Sequence, residues 1–155
     1  MMPKTTIPPL QTEPSAMHPA LGVCLGEYEY SIIGEAGGLS QFGVHIEVLR
    51  PGSKSSLHHW HKTEDEMIYM LSGEVILVEE DETLLRTGDA ACWPAGVPIG
   101  HHFENRSGAN ASYLTVGTRN KRDVIHYPNH DLITHKDGKN RRYTHSDGRP
   151  FRKGV

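Results

Sequence analysis

The chain has 155 residues, 36% of them hydrophobic, which is enough for one globular domain with its own core. No stretch approaches the about 18 apolar residues of a membrane-spanning helix, so we expect no membrane association. Residues 1–17 lack the apolar segment of a secretory signal. Two cysteines, Cys24 and Cys92, are too few for a disulfide framework. We interpret them as reduced thiols and predict a cytoplasmic protein.

The formal net charge is −3, but it is unevenly distributed. Residues 1–135 carry 9 Lys/Arg and 17 Asp/Glu, whereas residues 136–155 carry 7 Lys/Arg and 2 Asp. A basic tail is one feature of nucleic-acid-binding proteins, but the sequence contains no recognised nucleic-acid-binding module. We therefore predict no nucleic-acid partner, and expect residues 136–155 to pack on the acidic body or on a second subunit.

Residues 1–20 are rich in proline and are expected to form an extended arm without regular structure. Beyond it, short apolar or alternating segments are separated by glycine, proline and acidic turns, and no sustained helical period occurs. The expected strands are 28–33, 44–49, 57–61, 67–71, 75–78, 83–86, 90–93 and 112–117, with a further one possible at 124–127. This pattern predicts an all-β sandwich or barrel over residues 21–135.

His59 and His61 are the first candidate metal ligands. Residues two apart on a strand point to the same face, about 7 Å apart, so two imidazoles can converge on one ion. The turn-forming residues 62–65 follow, and Glu66 would then open the returning strand and aim at the same ion. Imidazole suits Zn, Cu, Fe and Ni, and a carboxylate adds preference for harder ions such as Mn.

A second histidine pair lies 35 residues beyond Glu66 and could supply a fourth ligand from across a curled sheet. By strand alternation His101 shares a face with Phe103 and Asn105, whereas His102 takes the other face. His102 stays open as an alternative ligand, and His58 as a weaker one. A His-X-His pair on its own is more often solvent-exposed than metal-bound. A zinc site built on cysteines is excluded by their number.

Together these segments resemble the two motifs of the cupin superfamily, in particular its small single-domain members. The first motif is matched, with one extra residue in its first spacer, by Gly52, His59, His61, Glu66 and Gly73. The second is matched, with two extra residues before its histidine, by Gly88, Pro94, Gly96, His101 and Asn105. The resemblance covers residues 43–118.

The resemblance implies an antiparallel double-stranded β-helix, also called a jelly-roll barrel, and a homodimer. It also implies one divalent transition metal ion per chain (Zn, Fe, Mn or Ni), held by His59, His61, Glu66 and His101. Four protein ligands leave two positions open on a six-coordinate ion, where a small molecule can bind and react.

Two classes of function fit this site. One is a metal-dependent enzyme acting on a small molecule, of the dioxygenase, isomerase, lyase or decarboxylase type. The other is a non-catalytic module that binds or senses a sugar-like or acidic ligand. The full ligand set favours the enzyme. The sequence identifies no catalytic residue beyond the ligands, and Gln41, His45 and Glu47 form a polar strand face that either lines the pocket mouth or is exposed.

Overall fold

The computed structural model describes residues 3–152. Over this range the chain forms short strands, one helical turn, α1 (Ile33–Ala36), and one 3-10 turn (Pro128–His130). The strands are β1 (Gln11–Met17), β2 (Cys24–Ile32), β3 (Phe42–Leu49), β4 (Trp60–His61), β5 (Glu66–Ser72), β6 (Glu74–Val78), β7 (Glu82–Arg86), β8 (Ala90–Trp93), β9 (His102–Glu104), β10 (Ala111–Thr118), β11 (Arg122–Tyr127), β12 (Leu132–Asp137) and β13 (Asn140–Thr144).

The strands build three antiparallel sheets. A six-stranded sheet has the order β1-β2-β3-β10-β5-β8, a four-stranded sheet the order β13-β12-β11-β4, and a three-stranded sheet the order β7-β6-β9. The prediction of an all-β fold is confirmed. No helix in residues 3–152 is long and apolar enough to cross a membrane.

The core lies where the inner face of the six-stranded sheet meets the three-stranded sheet. Along β5, Ile68 and Met70 are fully buried while Tyr69 between them is 43% exposed, as the two-residue period of a strand requires. Phe103 of β9 reaches across to this face and packs against Trp93 and Tyr113, with ring centroids 5.7 and 5.4 Å away. A common core therefore holds in place β5, β8 and β9, which lie within the metal-site motifs.

Two motif residues have structural roles in this frame. Gly73 has a φ of 71°, and a Cβ there would lie 2.6 Å from the Asn110 carbonyl oxygen, so only glycine fits the β5–β6 turn. Asn105 is buried, and its amide nitrogen donates to the carbonyls of Leu49 and Ala109 at 2.8 Å each. These bonds fix the chain immediately after β9.

The arm predicted at residues 1–20 is partly wrong, because residues 11–17 form β1 and pair with β2. Pro14 is tolerated for two reasons. β1 is the edge strand, and the pairing register shifts between Glu13 and Ala16, so no ladder bond from residue 14 is needed. The strand considered possible at 124–127 is present within β11. Residues 1–2 and 153–155 of the predicted arm and tail lie outside the described residues.

Candidate metal centre

The four predicted ligands come from three separate places in the barrel, and the three histidines lie around Glu66. His59 immediately precedes β4 and His61 ends it, Glu66 is the first residue of β5, and His101 immediately precedes β9. The backbones of His59 and His101 pair directly, with N–H···O distances of 3.3 and 2.9 Å. This pairing brings His101 to the site despite the two extra residues in its loop.

The imidazoles surround a single carboxylate oxygen. Glu66 Oε2 lies 4.0 Å from His59 Nε2, 3.6 Å from His61 Nε2 and 3.4 Å from His101 Nε2. The ring centroid of His59 lies 5.1 Å from that of His61 and 5.2 Å from that of His101. The structure thus brings all four residues together.

In His59 and His61, a hydrogen bond at Nδ1 orients the ring so that Nε2 faces Glu66. His59 Nδ1 lies 2.7 Å from the Leu57 carbonyl oxygen, and His61 Nδ1 lies 2.6 Å from Asp123 Oδ2. Both oxygens can only accept, so Nδ1 carries the proton in each ring. In the neutral imidazole Nε2 then keeps its lone pair facing Glu66, which is the arrangement that metal-binding histidines usually have.

His101 provides a test of whether the site fits a metal. Its ring is 1% exposed and stacks on the Trp93 indole at 3.8 Å with an interplanar angle of 9°. Neither of its ring nitrogens has a hydrogen-bond partner within residues 3–152, although Nε2 faces Glu66. Leaving a buried polar nitrogen unpaired costs about 1–3 kcal/mol. A divalent cation beside Glu66 would satisfy Nε2, so these residues fit a metal.

The electrostatics keep most of the site in its metal-binding form. Burial lowers the pKa of His59 to about 4, so this ring is neutral near pH 7. Burial alone would raise the pKa of Glu66, but the three surrounding imidazoles outweigh it and lower the pKa to about 2. Burial also disfavours charge on His61, yet Asp123 and the neighbouring Glu66 and Glu64 raise its pKa.

Three of the four proposed ligands, all except His101, line a cavity of about 320 Å³. Besides His59, His61 and Glu66, its polar wall contains His45, Glu47, Glu64, Asp65, Thr115, Thr118, Arg119 and Lys136. Of the polar strand face at residues 41–47, His45 and Glu47 line the cavity, whereas Gln41 is exposed.

Sequence reasoning missed Asp123 and Lys136. Asp123 has a fully buried side chain on β11, and Lys136 on β12 forms an ion pair with Glu64. Asp123 and Lys136 are direct partners in the β11–β12 ladder, so they share a face next to the ligands. No local pattern marks them, because the four-stranded sheet that places them beside His61 forms between segments about 60 residues apart.

The alternative ligands point elsewhere. His102 Nδ1 lies 3.3 Å from His58 Nδ1, and its Nε2 lies 3.0 Å from Glu104 Oε1. Trp60 faces away from the ligands as well and stacks on His126 at 4.1 Å. This geometry favours His101 over His102 and His58 as the fourth ligand.

Replacing Asp123 with asparagine should weaken metal binding by about 10–100-fold, because His61 loses the charged partner that fixes its tautomer and orientation. The affinity is measured by competition with a chromophoric chelator. Asp137→Asn is the matched control, since Asp137 is an exposed carboxylate of β12 that faces Arg122. An affinity for Asp123→Asn within twofold of the parent would contradict this role.

Comparison with known proteins identifies the fold and the motifs. The family model for the cupin domain matches residues 45–117. A solved sugar phosphate isomerase of the cupin superfamily from Silicibacter pomeroyi is 36% identical, with 92% of each chain covered and a TM-score of 0.85. The antiparallel double-stranded β-helix predicted from the sequence is confirmed by this match.

Two further solved structures are similar over less of the chain. A protein from Acidithiobacillus ferrooxidans, provisionally described as a sugar phosphate isomerase, is 27% identical over 78% of both chains with a TM-score of 0.75. A Thermotoga maritima protein described as a predicted oxalate decarboxylase is 26% identical, with 61% of this chain and 83% of that chain covered and a TM-score of 0.53. No curated protein matches the chain.

Proposed function

This chain belongs to the cupin superfamily, and on that premise we propose that it is a metal-dependent isomerase of a phosphorylated sugar. The proposed ligands of one divalent ion (Zn, Fe, Mn or Ni) are His59, His61, Glu66 and His101. The observation that carries the proposal is the convergence of three imidazole Nε2 atoms within 4.0 Å of one Glu66 oxygen, at the wall of a cavity. The substrate class is drawn from the similarity to the Silicibacter pomeroyi isomerase.

A divalent ion held by these residues would supply a Lewis acid able to polarise a carbonyl oxygen. The residues of the chain have the other tasks. Trp93 and the core beneath His101 exclude water from one side, and the paired rings of His59 and His61 are held in a fixed orientation. Thr115 also contributes to the cavity wall.

The cavity also contains cations that suit a phosphoryl group. Arg119 lies at its wall, where one guanidinium nitrogen donates to Glu35 and approaches His45, and Lys136 pairs with Glu64. Charge-assisted hydrogen bonds from such groups are the usual means of holding phosphate. The alternative of a purely binding module lacks a comparable supporting relative, since the similar proteins reported above are described as enzymes.

The test is a panel of aldohexose and aldopentose monophosphates, supplied to protein purified without a histidine tag. We expect about one transition metal ion per chain by elemental analysis, and conversion of at least one aldose phosphate to the ketose. The conversion should stop on chelation and return when metal is restored. Stoichiometric metal with binding but no turnover of any panel member would favour the binding module.

Two other expectations stay predictions. The cytoplasmic location follows from the reduced cysteines; Cys24 and Cys92 are both exposed and unpaired among the described residues. The homodimer is consistent with large apolar side chains exposed on the outer face of the six-stranded sheet, such as Phe42 and Tyr69, each 43% exposed.

A further inference from the structure

Two carboxylates of the metal cavity, Glu47 and Asp65, belong neither to the ligand set nor to an ion pair with a lysine or arginine of the described residues. Asp65 is exposed, whereas Glu47 is half-buried in the middle of β3. It lines the same cavity as His59, His61 and Glu66. The other two cavity acids outside the ligand set have partners, since Glu64 pairs with Lys136 and Asp65 accepts from the backbone of Ala95.

Glu47 is held in place by a buried phenol. Tyr113 is its direct partner across the β3–β10 ladder and is fully buried, and its hydroxyl donates to Glu47 Oε2 at 2.9 Å. The other oxygen, Oε1, approaches only His45 Nδ1, at 4.0 Å. One carboxylate oxygen is therefore fixed by the core, and the other has no close hydrogen-bond partner in residues 3–152.

We propose that Glu47 is the catalytic residue that moves protons in this cavity, and that Tyr113 is its positioning residue. This inference rests on the proposed isomerase function. In the reaction, the Glu47 carboxylate takes the proton from the carbon next to the sugar carbonyl. The electron pair of that C–H bond forms a carbon–carbon double bond, and the carbonyl π electrons move to its oxygen.

The second half of the reaction reverses these movements at the neighbouring carbon. The hydroxyl proton passes to the former carbonyl oxygen, the new carbonyl forms on the neighbouring carbon, and protonated Glu47 returns its proton to the carbon that was the aldehyde. Atoms and electrons balance without an oxidant or reductant. If Glu66 serves as a metal ligand, the proton transfer requires a separate base, and Glu47 lies in the same cavity.

The surroundings of Glu47 suit proton transfer near neutral pH. Burial raises the pKa of Glu47 to about 7, the hydrogen bond from Tyr113 opposes the increase, and the charge of Glu66 adds to it. A proton-transfer group works best when its pKa is close to the working pH. The titratable groups around it on its own and the neighbouring strands are His45, Tyr28, Tyr30, Glu66 and Tyr113.

The test compares Glu47→Gln, Tyr113→Phe and Glu80→Gln in the metal-loaded protein, with the aldose monophosphate panel in deuterium oxide. Glu80 is an exposed carboxylate in the β6–β7 turn, so its variant is the matched control. We expect Glu47→Gln to lose about 10²–10⁴-fold in kcat and in deuterium incorporation, with metal content unchanged. Tyr113→Phe should keep turnover but move the acid limb of the kcat/KM profile to higher pH.

A second readout does not depend on turnover. In chelator-treated protein the δ-carbon resonance of Glu47, assigned by its absence from Glu47→Gln, should titrate with a midpoint near 7. A midpoint in the ordinary carboxyl range, about 4–5, would overturn the inference. Turnover that survives in Glu47→Gln would overturn it while leaving the isomerase intact. No turnover by the parent on any panel member would overturn the proposed function and this inference with it.

Discussion

Glu66→Gln should bind its divalent metal at least about 100-fold more weakly than the parent. Mutating a residue that only hydrogen-bonds to a metal ligand already lowers metal affinity by about 10–100-fold, and losing a ligand should cost more. Among residues 3–152, Glu66 is the one carboxylate that faces all three imidazoles, and they lower its pKa to about 2. It therefore carries its full negative charge across the working pH range. The neutral amide keeps the shape of the side chain but removes the charge that offsets the cation.

The measurement is the metal content after dialysis, by elemental analysis, together with the affinity by chelator competition. Glu80→Gln again serves as the control, and circular dichroism should find the same β content in all three proteins. Retention of one metal per chain by Glu66→Gln, at an affinity close to that of the parent, would remove Glu66 from the ligand set.

Glu47→Gln should make the metal-free protein more stable at alkaline pH, by up to about 3 kcal/mol, while leaving its stability near pH 4 almost unchanged. Burial raises the pKa of Glu47 from 4.5 to about 7 in the folded protein. Between these values the unfolded chain releases the proton and the folded chain keeps it, so the free energy of unfolding falls as pH rises to 7. The difference of about 2.5 pKa units corresponds to about 3 kcal/mol.

Urea denaturation of chelator-treated parent and variant across pH 4–9 measures this difference. The two curves of unfolding free energy against pH should separate between about pH 4.5 and 7 and then run parallel. Parallel curves over the whole range would mean that Glu47 ionises freely in the folded protein. A residue that destabilises the fold in its charged form is typical of functional sites, where activity opposes stability.

The sequence predicted the barrel because its strands are short, alternate with a period of two and end at turn residues. It also predicts that His59, His61 and Glu66 lie together, because the two histidines share a strand face and the motif spacing brings Glu66 back beside them, and the structure places their ligand atoms within 4.8 Å of one another. Strand alternation and the family resemblance both favour His101 over His102, and His101 Nε2 lies 3.4 Å from Glu66 Oε2. The assignment of these residues as metal ligands stays a prediction.

The rest of the site depends on pairings that no local pattern encodes. Asp123 reaches His61 only because β11 pairs with β4, and Lys136 reaches the cavity because β12 follows on the same sheet. Glu47 looked like a surface or rim residue, since alternation gives its face but not the phenol that β10 brings opposite to it. The strand at 11–17 is not predicted because proline normally interrupts a strand, and only the fold reveals the edge position and the register shift that accommodate Pro14.

The most direct test of the metal centre is a crystal structure of the metal-loaded protein, with anomalous scattering recorded at the Mn, Fe, Ni and Zn edges. We expect one anomalous peak per chain, about 2.0–2.2 Å from His59 Nε2, His61 Nε2, His101 Nε2 and a Glu66 oxygen. A peak held by His102 or His58, or none among these residues at saturating metal, would contradict the account.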